Sequence, residues 1–242
     1  MSEQHSAIPS LVDTLSAKQV GQTIDHALLR PTMTRSEVKE GCLLCDKYHA
    51  YSVCVRPCDV KFASDILKDS PVQVGTVIGF PHGTTSTSAK VAEALQALKD
   101  GAGELDMVAN QAYIKSDMMD QVQRDIQQVV EAAKKQMPGC CVKVILECTV
   151  LTDEEKIAVC KAAENAGADY VKTSTGFAGG GATVHDLKLM RASVGKDVKV
   201  KASGGVRTLD DLVQCLQAGA ERIGTSATVE IVQQMQRLQD SR

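Results

Sequence analysis

The 242-residue chain is poor in aromatic residues: it has no tryptophan, and aromatic residues make up only 3% of the sequence. It also lacks any apolar run that approaches the roughly 20 residues that a membrane-spanning helix needs. Its net charge of −3 does not provide the basic surface that attracts nucleic acids or anionic membranes. We therefore expect neither a nucleic acid nor a membrane as a partner.

The N-terminus lacks the basic segment followed by an apolar one that is typical of a secretory signal. The chain has nine cysteines, but the odd number and the adjacent pair at 140–141 argue against a disulfide framework. A four-thiolate zinc site would have to combine thiols from a helical pattern and a strand pattern, namely Cys42, Cys45, Cys54 and Cys58. We predict a cytoplasmic protein with reduced thiols and no bound metal.

Eight strand-like segments alternate with helical patterns along the whole chain, without a linker or a break in composition. Four of the helical patterns begin with a hydroxyl residue that has a carboxylate three positions later, the signature of an N-terminal cap; these are Thr34, Thr152, Thr183 and Thr208. The strand-like segments are Thr23–Leu29, Tyr51–Val55, Val72–Gly79, Glu104–Ala109, Cys141–Cys148, Asp169–Ser174, Val198–Ala202 and Glu221–Thr225.

Eight alternating units indicate an α/β protein, a single (β/α)8 TIM barrel over residues 1–242. An extra N-terminal helix is predicted over Leu11–Val20. The alternative is a doubly wound open sheet, but no early strand is followed by the glycine pattern of a dinucleotide-binding turn. Because 43% of the residues are hydrophobic and few are aromatic, aliphatic side chains must build most of the core.

Three segments repeat one pattern, in which a helix ends at a glycine and leads directly into a strand. Glycine just past a helix end adopts the left-handed conformation that terminates the helix. Counting five residues on from Gly101, Gly167 and Gly219 leads to Asp106, Lys172 and Gly224. A weaker fourth copy places Cys54 at the same offset.

The shared offset predicts that Cys54, Asp106, Lys172 and Gly224 form one layer inside the barrel, because alternate strands contribute to each layer. Lys199 and Lys201 lie two residues apart on the next strand, so they share a face. Burial and a second ammonium nearby both favour the neutral, nucleophilic form of Lys172. The alternative is a structural ion cluster in a barrel that only binds phosphate compounds or a partner.

Glycine-rich segments follow the sixth and seventh strands, and the eighth strand ends in Gly-Thr-Ser. Glycines let backbone N–H groups approach an anion closely, and in TIM barrels the loops after strands 7 and 8 often bind phosphate. These loops adjoin the lysines on the same strands. The sequence therefore predicts a site for a phosphorylated carbonyl compound.

The chain resembles the deoxyribose-phosphate aldolase family in an ordered set of motifs. They span nearly the whole chain and include Val77-Ile-Gly-Phe-Pro-His-Gly83, Gly103-Glu-Leu-Asp-Met-Val108, Val171-Lys-Thr-Ser-Thr-Gly-Phe177 and Val200-Lys-Ala-Ser-Gly-Gly-Val-Arg207. The resemblance implies a class I aldolase that cleaves deoxyribose 5-phosphate to acetaldehyde and glyceraldehyde 3-phosphate. Another Schiff-base sugar-phosphate aldolase or a transaldolase is the alternative enzyme.

The same resemblance implies the roles of individual residues. Lys172 matches the Schiff-base lysine, and Asp106 and Lys201 match the pair that moves protons. The substrate-binding positions are Asp25, Cys54, Gly179, Gly204, Gly205 and Ser226. The chain departs from the family at Ala27 and at Ala227-Thr228, where many relatives carry other residues. No metal and no cofactor is expected, and relatives suggest a homo-oligomer, a dimer or a tetramer.

Overall fold

The computed structural model describes residues 12–241, in which eight parallel strands close into a barrel in chain order. Each strand pairs with its neighbours along the sequence, and β1 closes the barrel against β8. This confirms the predicted TIM barrel. The strands are β1 (Ile24–Leu28), β2 (Ser52–Val55), β3 (Gln73–Ile78), β4 (Glu104–Val108), β5 (Cys141–Ile145), β6 (Tyr170–Lys172), β7 (Lys199–Ser203) and β8 (Arg222–Thr225).

Six of the predicted strands match the structure to within one residue at each end, and the other two were three residues too long. β5 ends at Ile145 rather than at Cys148, because Glu147 has a left-handed backbone (φ 64°) that leads into a 3-10 turn over Cys148–Val150. β6 contains only Tyr170–Lys172 rather than Asp169–Ser174. In both cases an apolar or small-residue pattern continues beyond the strand into a buried βα loop, which sequence alone does not distinguish from a strand.

The helices surround the barrel. The N-terminal helix predicted over Leu11–Val20 is divided: Leu11 lies outside the described residues, and Ser16 caps a separate helix by accepting from the Gln19 amide. The helices are α1 (Ala17–Gly21), α2 (Arg35–Lys47), α3 (Val60–Ile66), α4 (Thr87–Lys99), α5 (Gln111–Lys115), α6 (Met119–Gln136), α7 (Asp153–Asn165), α8 (Val184–Ser193), α9 (Leu209–Gln217) and α10 (Thr228–Asp240).

The predicted helix boundaries follow local capping chemistry. All four predicted hydroxyl caps accept a hydrogen bond from the amide three residues on. Gly101, Gly167 and Gly219 have φ values of 105°, 79° and 102°, the left-handed conformation that ends each helix before its strand. In the fourth copy of the pattern His49 takes this position with φ 54°.

The apolar core lies outside the barrel, between the strands and the helices. Outward-facing residues such as Val53, Leu105 and Val200 pack there against helix residues such as Ile126 and Leu212. Inward-facing positions of the strands carry mostly polar and charged side chains, and most of these are buried. No helix within residues 12–241 combines the length and the apolar character that a bilayer crossing requires.

A buried ion pair fixes α4 against α6. Lys90 is fully buried, and its Nζ donates to Asp125 Oδ2 at 2.5 Å and to the Val108 carbonyl at 3.0 Å. Thr87 Oγ1 donates to the other oxygen of Asp125 at 2.7 Å. The pair lies on the wall that supports β4, the strand that carries Asp106.

We expect Asp125→Ala to lower the free energy of unfolding by about 3–5 kcal/mol, because it leaves the Lys90 ammonium buried without its partner. Asp65→Ala removes the exposed pair of Asp65 with Lys61 and is the control, with an expected loss below about 1 kcal/mol. Urea unfolding of both variants measures the difference. Equal losses would contradict the assigned importance of the α4–α6 pair.

His26 faces outward from β1 toward the start of α10. Its Nδ1 lies 2.8 Å from Thr228 Oγ1. Burial lowers the pKa of His26 from 6.5 to about 4, so the folded protein keeps the imidazole neutral. This contact also occupies Thr228, one of the two positions at which the chain departs from the family.

The low pKa of His26 makes the protein sensitive to acid. Between pH 6.5 and 4 the unfolded chain binds a proton at His26 that the folded protein does not, so stability falls as the pH falls through this window. The expected contribution is about 2–3 kcal/mol between pH 7 and pH 4.5. His26→Gln should lose correspondingly less stability over this range in urea unfolding, and an unchanged pH dependence would refute the assignment.

Candidate active site

Lys172 lies on β6 and points into the barrel, where only 3% of the residue is exposed. Its Nζ donates to Asp106 Oδ2 at 2.7 Å. Burial lowers the pKa of Lys172, Asp106 opposes this change, and the positive charge of Lys201 adds to it. The result is an amine that loses its proton more readily than an ordinary lysine and lies in an enclosed space.

Lys201 is next to Lys172 in the β6–β7 register. Its Nζ lies 2.7 Å from the same Asp106 oxygen that Lys172 contacts, and it also forms an ion pair with Asp25. Burial alone would lower the pKa of Lys201, but Asp106 and Asp25 raise it above the ordinary value. The pKa values of these two adjacent lysines are therefore shifted in opposite directions, because only Lys201 has a second carboxylate, Asp25, beside it.

Asp106 on β4 joins three lysines. Its Oδ2 accepts from Lys172 and Lys201, and its Oδ1 accepts from Lys143 on β5 at 3.0 Å. Burial would raise the pKa of this carboxyl group, but the three cations bring it well below its usual range. Asp106 is thus an ionised carboxylate that accepts a hydrogen bond from each of the two site lysines through one oxygen.

A second group of charges lies beneath these residues, toward the N-terminal end of the barrel. Arg222 on β8 donates from Nε to Asp25 Oδ1 at 2.8 Å and from Nη2 to Glu104 Oε2 at 3.0 Å. Lys143 donates to the same Glu104 oxygen at 2.8 Å. The sequence analysis did not single out Arg222 and Glu104. Each lies two residues before a predicted inward position, Gly224 or Asp106, so the period-2 alternation of a strand could have identified them.

Two of the predicted substrate-binding residues lie deep in the barrel. Asp25 accepts from Ser52 Oγ at 2.7 Å and from Arg222, so its carboxylate belongs to the charged group below Lys201. Cys54 is buried beside the lysines, and burial raises the pKa of its thiol to about 11. The structure therefore brings both into the neighbourhood of Lys172, with Asp25 as an ionic partner and Cys54 as a neutral thiol.

The glycine loops meet at the C-terminal end of the barrel. Gly204, with φ 84°, accepts through its carbonyl from the Ala182 amide at 3.0 Å, which joins the loops after β6 and β7. A Cβ on Gly204 would lie 2.9 Å from Gly181 Cα, so the close approach requires glycine at this position. Gly179, Gly205 and Ser226 are exposed at this rim.

The N-terminus of α10, which follows β8, lies at the same rim. Ser226 precedes Ala227, the N-cap of α10, which gives that helix no side-chain cap. The Ala227 amide donates to Thr225 Oγ1 at 2.9 Å. Uncapped first-turn amides and exposed glycine amides are the backbone donors that phosphate groups use in proteins.

An aromatic pair at the mouth was not predicted. Phe177, after β6, contacts Phe80, after β3, edge to face at a centroid distance of 5.2 Å. Both line a cavity of about 380 Å³ that also includes the inward-facing Val77, so it extends toward the barrel interior. Nearby Glu147, buried after β5, accepts from the Thr175 amide at 3.2 Å rather than from a site lysine.

Outside the barrel, one group of potential metal ligands occurs within residues 12–241, formed by Asp153, His185 and Asp186. Lys156 Nζ lies 3.0 Å from Asp153 and 2.7 Å from Asp186. The ammonium group thus already pairs with both carboxylates, and this ion pairing accounts for the group.

Comparison with known proteins gives close matches. Residues 20–234 match the DeoC/LacD family aldolase. The chain is 51% identical over 215 residues to deoxyribose-phosphate aldolase 1 of Bacillus licheniformis, covering 89% of this chain and 95% of that protein. It is 49% identical over 219 residues to deoxyribose-phosphate aldolase of Carboxydothermus hydrogenoformans, covering 90% and 96%.

Solved structures agree. A putative deoxyribose-phosphate aldolase from Coccidioides immitis superimposes with a TM-score of 0.88 at 43% identity, covering 92% of this chain and 87% of that one. The tetrameric deoxyribose phosphate aldolase from Aeropyrum pernix has a TM-score of 0.87 at 31% identity, covering 96% and 97%. With the barrel and its enclosed lysine, this similarity along nearly the whole chain means that the protein belongs to the DeoC/LacD family of aldolases.

Proposed function

We propose that the protein is a class I aldolase that reversibly cleaves 2-deoxy-D-ribose 5-phosphate to acetaldehyde and D-glyceraldehyde 3-phosphate. The observation that carries this proposal is the enclosed Lys172 amine, which shares one carboxylate oxygen of Asp106 with Lys201. The names of the relatives, all aldolases of deoxyribose phosphate, support the choice of substrate.

In the proposed reaction the neutral Lys172 amine adds to the C1 aldehyde of the open-chain sugar phosphate, and loss of water gives an imine. The amine needs a depressed pKa for the first step, which burial and Lys201 supply. A proton must also reach the departing hydroxyl group. Lys201, whose pKa is raised, is the protonated group within reach of the shared Asp106 carboxylate.

Cleavage follows from the protonated imine. The C3 hydroxyl loses its proton, the C2–C3 bond breaks, and its electron pair moves into the iminium to form an enamine and glyceraldehyde 3-phosphate. Protonation of the enamine carbon and addition of water then release acetaldehyde and regenerate Lys172. Asp106 and Lys201 move these protons to and from the substrate, and we propose that one bridging water relays them.

Phosphate binding is proposed at the rim formed by the loops after strands 6, 7 and 8. The backbone amides of Gly179, Gly204 and Gly205 and the hydroxyl group of Ser226 are the donors. The positive φ values of the three glycines permit this exposed, close backbone arrangement. The cavity beside Phe80 and Phe177 lies at the same end of the barrel as these donors.

We also propose that the whole chain is one domain and functions in the cytoplasm as a homo-oligomer, a dimer or a tetramer. The tetramer described for the Aeropyrum pernix relative supports self-association. All nine cysteines are free thiols, which suits a reducing compartment.

Reductive trapping tests the aldolase proposal. Acetaldehyde with sodium cyanoborohydride should add one ethyl group to Lys172, identified by peptide mapping, and Lys172→Met should abolish both labelling and cleavage. Lys199→Met is the matched control, because Lys199 is on the same strand face as Lys201 but is half exposed at the opposite end of the barrel. It should retain labelling and activity.

Product analysis separates the enzymatic alternatives. Release of acetaldehyde from deoxyribose 5-phosphate supports the proposal, whereas transfer of a dihydroxyacetone unit would identify a transaldolase. Label on a lysine other than Lys172, or none, would refute the assignment of the Schiff base.

Gly204→Ala tests the phosphate site. The substitution forces a non-glycine residue to φ 84° and brings its Cβ against the loop after β6. Loss of one amide–phosphate hydrogen bond is worth about 1.5–3 kcal/mol, so KM for deoxyribose 5-phosphate should rise about tenfold or more. Turnover of unphosphorylated deoxyribose should change much less.

Gly139→Ala is the control for this comparison, because a Cβ there has open space around it. It should leave both substrates unaffected. Equal losses with both substrates in Gly204→Ala would contradict a phosphate role and indicate a general distortion of the mouth.

A further inference from the structure

The charged side chains inside the barrel form one continuous buried network. Arg222 joins Asp25 to Glu104, Glu104 joins Lys143, and Lys143 joins Asp106, which holds the two site lysines. The network contains four bases and three acids: Arg222, Lys143, Lys172 and Lys201, with Asp25, Glu104 and Asp106. If all seven were ionised, one positive charge would remain uncompensated in a low-dielectric interior, which is unfavourable.

The network becomes neutral when one base gives up its proton. Arg222 cannot do so, because guanidinium groups stay protonated in proteins and Asp25 and Glu104 raise its pKa further, against the effect of burial. Lys143 forms ion pairs with three carboxylates, the longest at 3.9 Å to Asp25, and Lys201 forms them with two. Lys172 contacts only Asp106. The base with the fewest anionic partners is therefore the one that loses its proton.

We propose that Arg222 is a positioning residue that keeps Lys172 in the amine form, although it does not touch Lys172. Its permanent charge supplies the excess cation in the network, and its contacts to Asp25 and Glu104 compensate carboxylates that would otherwise stabilise an additional ammonium. The inference rests on the proposed aldolase function and explains which lysine becomes the nucleophile.

Other titratable groups near Lys172 do not alter this balance. The Cys54 thiol is neutral because burial raises its pKa to about 11. Tyr170 lies two residues before Lys172 on the same face of β6. Burial also raises the pKa of its phenol, so that it too is uncharged at neutral pH. Lys199 is half exposed and pairs with Glu221 at the N-terminal end of the barrel.

The pH dependence of cyanoborohydride trapping of acetaldehyde on Lys172 tests the proposal, because its midpoint reports the titration of this amine. Arg222→Gln removes the excess cation and should move the midpoint toward alkaline pH by about one unit or more, which makes trapping at pH 7 about tenfold slower. Glu104→Gln removes an anion and should move the midpoint in the acidic direction. The double variant restores an excess of one cation and should bring the midpoint back toward that of the wild type.

Ser52→Ala is the uncharged control, because it removes a hydrogen bond to Asp25 and no charge; its midpoint should stay in place. Shifts of the same sign in both single variants, or no shift in either, would overturn the proposal. If Arg222→Gln does not fold, Glu104→Gln decides alone, because the proposal requires its acidic shift. Failure of the wild-type protein to trap acetaldehyde on Lys172 would instead refute the aldolase function itself.

Discussion

The interior of this barrel depends on one constraint: a single carboxylate, Asp106, must compensate three lysines from three different strands. Its two oxygens accept from Lys143, Lys172 and Lys201 at 2.7–3.0 Å. A carboxylate has about four lone-pair sites but only one negative charge. Asp106 can therefore accept a hydrogen bond from all three lysines, but its single charge cannot balance three ammonium groups. Glu104 supplies a second negative charge beside Lys143, and Asp25 supplies one beside Lys201. Lys172 pairs with Asp106 alone, and this inequality favours it as the amine that we propose to be the nucleophile.

Keeping such a charged interior requires that the stability of the fold come from elsewhere. The apolar core between strands and helices provides it, with outward-facing aliphatic residues on the strands and amphipathic helices around them. This arrangement explains the low aromatic content, because small branched side chains fill the narrow space between the sheet and the helices. It also separates the two tasks in sequence: on each strand one set of alternate residues stabilises, and the other set carries the chemistry.

That separation determined what the sequence could predict. The repeated helix–glycine–strand pattern gave a common starting point for counting, so Asp106 and Lys172 could be placed in one layer without coordinates. Lys201 followed from alternation and strand order. Partners at longer range could not be derived, because the contact of Arg222 with Glu104 crosses from β8 to β4 and depends on the stagger of the closed barrel. The aromatic contact of Phe80 with Phe177 joins two loops whose paths the sequence pattern does not determine.

The same network shows why the reactive lysine and its helper are not interchangeable, although both are buried lysines on adjacent strands. Removing a buried ion pair in favour of apolar side chains often stabilises a protein, so seven buried charges are not explained by stability. They are explained if the proton distribution matters: Asp25 holds a proton on Lys201, while Lys172 has no second carboxylate. An interior with equal numbers of acids and bases would leave every lysine protonated and none able to attack a carbonyl group. A single base in excess, anchored by an arginine that cannot lose its proton, is the smallest imbalance that produces one free amine.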